Sequence, residues 1–117
     1  MRRKFIIYNK EYMTKHAGNV ENIIFELVVR CVDNGTRIII EQKAKKGLAY
    51  IMVDFAPTDN SNSEYEYDGR HVCFVSSIDN DNDGDICENF TNYLDACRWL
   101  ADYVKSHDFA TMYNETY

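Results

Sequence analysis

The chain has 117 residues, 45% hydrophobic and 27% charged, enough to bury one core in one domain. Its net charge of −6 is unevenly spread. Through Leu48 there are ten Lys and Arg against five Asp and Glu; from Ala49 on there are three against fourteen. That acidic second half favours basic partners and disfavours direct nucleic-acid binding.

The opening "MRRKFIIYNKEY" carries a basic head but too short an apolar run for a secretory signal. No stretch approaches the roughly 20 apolar residues of a spanning helix, so a soluble cytoplasmic protein with no membrane association is expected. "KFIIY" reads as a first strand, and "EYMTKHA" as a second. The segment "NIIFELVVRCVDNGTRIIIEQ", residues 22 to 42, admits two readings. Val20, Ile23, Ile24, Leu27, Val28, Cys31 and Val32 fit an amphipathic helix ending at Gly35. Phe25, Leu27, Val29 and Cys31 instead alternate with Glu26 and Arg30. β-branched residues dominate, and Asn34-Gly35 suits a type I′ turn. The alternation favours a β-hairpin turning at Asn34-Gly35, with "RIIIEQ" as its return strand.

"LAYIMVDFA", residues 48 to 56, continues the sheet. After "PTDNSNS", the segment "EYEYDGRHVCFVSSI" reads as a short acidic strand and an apolar one, joined by a turn at Asp68-Gly69. "DNDNDGDICENF", residues 79 to 90, reads as a solvated loop from strand to helix. In residues 90 to 105, Phe90, Tyr93, Leu94, Cys97, Leu100 and Val104 recur at helical spacing. Asn89 or Thr91 is placed to cap the start, and Lys105 and His107 suit the negative end. The fold class expected is α+β: a mostly antiparallel sheet, a meander of hairpins, covered on one face by a C-terminal helix.

The loop has the beginnings of a calcium site. Asp79, Asp81, Asp83, Gly84 and Asp85 fall on the positions of a calcium-binding loop, but the twelfth position is Phe90 where a bidentate glutamate belongs. No metal and no cofactor is therefore expected. A calcium- or ligand-binding α+β module using Asp79–Asp85 is kept as the alternative function. His71 and Cys73 share a strand face, but nothing near them in sequence completes a metal or nucleophile site. Cys31, Cys73, Cys87 and Cys97 form no CxxC pair and read as reduced thiols. The basic residues Arg2, Arg3, Lys4, Lys43, Lys45 and Lys46 lack the interleaved aromatics of an RNA-binding sheet. Phosphate loops, nucleophile elbows and dinucleotide fingerprints are absent, which argues against an enzyme.

Acids beside aromatics are the more informative pattern. One run is Glu64, Tyr65, Glu66, Tyr67 and Asp68; the other is Asp79, Asp81, Asp83, Asp85 and Glu88. They flank the strand from Arg70 to Ile78 and should emerge at its opposite ends. Trp99 and Tyr103 lie one helical turn apart with Asp95 and Asp102 near them, as an acidic rim around aromatic anchors. An aromatic cover over the sheet edge is the competing reading.

"KEYMTKHAGNVENIIFELVVRCVDNGTRIIIEQ", residues 10 to 42, resembles the β-strand region of small acidic anti-CRISPR proteins from phages and prophages. The shared pattern is a Lys-acid-Tyr start, a Gly-containing loop, a long apolar strand, an Asn/Asp-Gly turn and a return strand. The resemblance implies a phage-encoded inhibitor that mimics DNA where a guide-loaded type II CRISPR nuclease reads its PAM. The similarity stops at residue 42, and none of that family's acidic contacts is carried over. The expectation is a small non-enzymatic inhibitor occupying a basic, nucleic-acid-binding cleft of a partner protein. Asp79, Asp81, Asp83, Asp85, Glu88, Glu64, Glu66, Tyr65, Tyr67 and Trp99 are its candidate contacts.

Overall fold

A computed structural model of the chain describes residues 4–44, 47–56, 69–78, 83–107 and 109–116. The first strand, β1 (Lys4–Asn9), runs straight into helix α1 (Lys10–Lys15). Asn9 makes that turn possible, because its side-chain oxygen accepts the Tyr12 N–H at 2.8 Å. The strand expected over "EYMTKHA" is therefore this short helix. A 3₁₀ turn at Ala17–Asn19 then leads into α2 (Val20–Asn34).

Helix α2 corrects the hairpin expected over residues 22 to 42. Val20, Ile23, Ile24, Leu27, Val28 and Cys31 are buried at helical spacing, whereas Phe25 and Val29 of the alternating set are 49% and 40% exposed. Six inward side chains on one stripe outweigh the modest helix penalty of β-branched residues. Gly35 ends the helix rather than turning a hairpin. It holds a left-handed conformation (φ 65°, ψ 42°) and donates its N–H to the Cys31 carbonyl. The chain then leaves directly as β2 (Thr36–Ala44), followed by β3 (Gly47–Phe55), β4 (Cys73–Ile78) and β5 (Asp83–Phe90).

Helix α3 (Tyr93–Ser106) follows β5. Its cap is Asn92 rather than Asn89 or Thr91, since Phe90 is still in the strand. Asn92 Oδ1 accepts the Asp95 N–H at 2.9 Å, and Asn92 Nδ2 donates to the Asp95 carboxylate at 2.9 Å. A last strand, β6 (Thr111–Thr116), was not foreseen.

The six strands form one sheet in the order β1-β6-β2-β3-β4-β5, antiparallel throughout. The fold is α+β, as expected from the sequence. The sheet is not assembled wholly from sequence neighbours, however, because β6 inserts between β1 and β2. Register assigns the faces. Ile38 lies opposite Val53 and Asn114, and Ile40 opposite Ile51 and Met112. Ile38, Val53, Ile40, Ile51 and Met112, with Cys73 and Val75, join Leu27, Cys31, Cys97 and Leu100 of the helices in one core. Helices α2 and α3 also pack against each other.

The other sheet face is polar but also largely closed. Arg37, Ile39, Asp54, Phe74, Tyr113 and Glu115 are all buried. Arg37 Nε lies 3.4 Å from the Glu115 carboxylate, its direct register partner. Glu41 accepts hydrogen bonds from Thr111 Oγ1 at 3.1 Å and Tyr113 OH at 2.8 Å. Burial, together with the bond to Glu41, pushes the Tyr113 hydroxyl pKa upward.

Candidate partner-binding edge

The candidate contacts are unevenly placed. Glu64, Tyr65, Glu66, Tyr67, Asp79 and Asp81 lie outside the described residues, as does Asp68 of the expected Asp68-Gly69 turn. Gly69 itself has φ 78°, as a turn glycine would. Asp83 and Asp85 open β5, and Glu88 stands exposed near its end. The solvated strand-to-helix loop expected over residues 79 to 90 is thus corrected from Asp83 onward. This segment is a strand because Cys87, Glu88, Asn89 and Phe90 pair with Ser76, Val75, Phe74 and Cys73. A twelve-residue calcium loop curls around one ion, whereas a strand extends by about 3.3 Å per residue. Among the described residues no cluster of three or more His, Cys, Asp or Glu could hold a metal.

β5 is an outer strand of the sheet, paired with β4. Its register slips between Ser76 and Ile78, where the partners jump from Cys87 to Asp83. Ser77 Oγ fills part of the break by accepting the Ile86 N–H at 2.9 Å. Bulges and charges at a sheet edge discourage pairing with another strand. Recognition at this edge would therefore run through side chains rather than through an added strand.

Glu88 and Phe90 lie opposite Val75 and Cys73, so they point toward the helical layer. There Phe90 meets Trp99, with ring centres 6.3 Å apart. Trp99 stacks on Tyr103 at 5.2 Å and 16°, and Tyr103 stacks on His107 at 4.0 Å and 7°. The Gln42 amide donates to the Tyr103 hydroxyl and ties this column to β2. The spacing 99, 103 places two of the rings on one flank of α3, and His107, the extended residue that caps the helix, stacks on the second. Asp95 and Asp102, four residues before and three after Trp99, share that flank and are exposed. Trp99 remains half-buried, so it both covers the sheet edge and presents a surface.

The sequence reading singled out Trp99 and Tyr103 but missed Phe90 and His107 as the ends of the same column. The four-residue repeat was visible, whereas the Phe90 contact depends on the strand that precedes the Asn92 cap. His71 and Cys73 form no joint site. The His71 ring sits 6.3 Å from Phe74, while Cys73 is fully buried and its thiol pKa is driven up by burial.

No family model matches the chain, and no curated protein or solved structure matches it significantly. Residues 10 to 42 fold as α1, α2 and β2, with a helix where the sequence suggested a long apolar strand. No helix among the described residues is long and apolar enough to cross a membrane.

Proposed function

We propose that this is a non-enzymatic binding protein whose acidic edge, β5 with the adjoining flank of α3, docks on a basic, nucleic-acid-binding surface of a partner protein and blocks it. The observation that carries the reading is the placement of Glu88 and Trp99 on one side of an outer strand, joined through Phe90. Carboxylates steer a partner rich in Lys and Arg but contribute modest affinity when solvated. A partly exposed aromatic ring supplies contact that can be desolvated on docking. Asp95 and Asp102, both exposed, extend the negative surface along the helix. A phage-encoded inhibitor of a type II CRISPR nuclease, the class the sequence resembles, would act in this way as a DNA mimic in the host cytoplasm.

The test is displacement of labelled target DNA from a guide-loaded type II nuclease, followed by fluorescence anisotropy. The wild-type chain should compete, and its competition should weaken as salt rises. The Asp83→Lys/Glu88→Lys double variant should compete about tenfold less well, equivalent to about 1.4 kcal/mol, with a flatter salt dependence. Its melting temperature should stay near that of the wild type, since Glu88 is exposed. Equal competition and equal salt slope in the double variant would remove the acidic edge from the mechanism. Competition by neither protein would exclude this nuclease class as the partner.

A further inference from the structure

Helix α2 is apolar on two stripes, and the core uses only one of them. Its exposed positions come in pairs every four residues: Glu21 and Asn22, Phe25 and Glu26, Val29 and Arg30, Asp33 and Asn34. Among them Phe25 and Val29, continued by half-buried Val32, descend the outer side at spacings of four and three. That is the spacing of a seam between two packed helices, and it lies opposite the stripe that faces the core. Among the described residues the large exposed hydrophobics are Tyr12, Phe25, Val29 and Leu94, and all four lie on helices. A lone exposed apolar residue is ordinary, but two of them one turn apart at the middle of a helix make a patch.

The charges beside this seam select its occupant. Glu26 and Arg30, both exposed, follow Phe25 and Val29 and flank them on the same side. We propose that the seam is a homodimer interface, in which α2 packs antiparallel against α2 of a second copy about a two-fold axis between residues 27 and 28. Phe25 then lies against the partner's Val29. Glu26 comes within one residue, about 1.5 Å along the axis, of the partner's Arg30, and Asp33 meets the partner's Asn22. Every contact occurs twice, so one sequence supplies both halves of each pair. A parallel arrangement would set Glu26 against Glu26 and Arg30 against Arg30. Fifteen residues of helix span about 22 Å, so the interface is a small one and the dimer forms at micromolar concentrations. Helix α2 packs against β2, three strands away from β5. The dimer therefore leaves both acidic edges open, and either reading can fail without the other.

The test is sedimentation equilibrium of the full chain from about 5 µM to about 500 µM, in 0.15 M salt, where repulsion between acidic copies is screened beyond about 8 Å. The average mass should rise from monomer toward dimer across that range. Phe25→Glu should weaken association at least tenfold, with circular dichroism confirming that the variant keeps its helices. Glu26→Arg and Arg30→Glu each place like charges across the axis and should each weaken it several-fold. An equimolar mixture of those two variants should recover association, because each then carries the charge that the other lacks at both positions. A folding defect in either variant could not be repaired by mixing. A monomer throughout, a dimer indifferent to Phe25→Glu, or a mixture that associates no better than its components would overturn the proposal.

Discussion

Asn34 and Gly35 give opposite predictions in a hairpin turn and at a helix end. In a type I′ turn both residues need positive φ, and replacing either with alanine costs about 1 kcal/mol. Here Asn34 is the last residue of α2, and Gly35 alone is left-handed, at φ 65°. A Cβ at Gly35 would meet nothing within 4 Å, so Gly35→Ala carries the backbone cost and no clash. Its expected loss is about 1 kcal/mol, near 4 °C in melting temperature for a chain of this size. Asn34→Ala loses an exposed hydrogen bond, Asn34 Nδ2 to the Arg30 carbonyl at 2.9 Å. That loss of about 0.5 kcal/mol is offset by about 0.6 kcal/mol of better helix propensity. The net should be within about 0.5 kcal/mol of zero, and Gly35→Asn should fall between the two alanine variants. Urea unfolding followed by circular dichroism at 222 nm and by Trp99 fluorescence measures all three. Equal losses from Asn34→Ala and Gly35→Ala, or a neutral Gly35→Ala, would refute the helix-end assignment.

Three further outcomes follow from burial. Leu100→Ala, at a fully buried position of α3, should cost about 2–5 kcal/mol, whereas Leu94→Ala, 53% exposed on the same helix, should stay within about 0.5 kcal/mol; a reversed ranking by urea unfolding would contradict the orientation of α3. Native titration with a disulfide thiol reagent should find one fast thiol, Cys87, which disappears in Cys87→Ser, because Cys31, Cys73 and Cys97 are buried; two or more fast thiols in the wild type would refute it. Burial pushes the Cys31 thiol from 9.0 up to about 12, with Cys73 raised as well, so the unfolded chain loses these protons first as pH rises. Stability should then be level below about pH 8 and fall above about pH 9, by up to about 1.4 kcal/mol per pH unit for each such thiol. An unchanged urea midpoint from pH 8 to 10.5 would refute that coupling.

The elements legible in the sequence were those with one dominant period. "RIIIEQ" and "LAYIMVDFA" are strands, and the i, i+3, i+4 pattern beyond residue 92 is a helix, within a few residues at each end. α2 was misread because its sequence satisfies both periods. Leu27 and Cys31 belong to either pattern, and the decision rested on Phe25 and Val29, which the fold leaves exposed. Asn-Gly was no arbiter, since the left-handed glycine of a turn also ends a helix. β6 escaped notice because "TMYNET" is two-thirds polar, and its inner residues are buried on both faces by its place between two strands. Its partners lie about 75 residues away in β2, a pairing no local pattern encodes. Of the candidate site, Trp99 was identified from spacing alone, while its link to Glu88 needed the three-dimensional register.

The position of β6 has a consequence for biosynthesis. As the ribosome releases the chain, β2, β3, β4 and β5 can zip together in order, because β3, β4 and β5 each pair with the strand made just before them. β1 and the free side of β2 must wait until residues 111 to 116 emerge, since β6 supplies the partner for both. During that interval the nascent chain carries an open sheet margin at β2, where the Ile38-Ile39-Ile40 run stands ready to join any passing strand. Arg37 and Glu41 bracket those isoleucines as charged gatekeepers until Glu115 and Thr111 arrive to engage them. Completion of the sheet is therefore timed by translation of its final strand. A ribosome stalled before residue 111 would hold a sticky intermediate that a chaperone has reason to recognise.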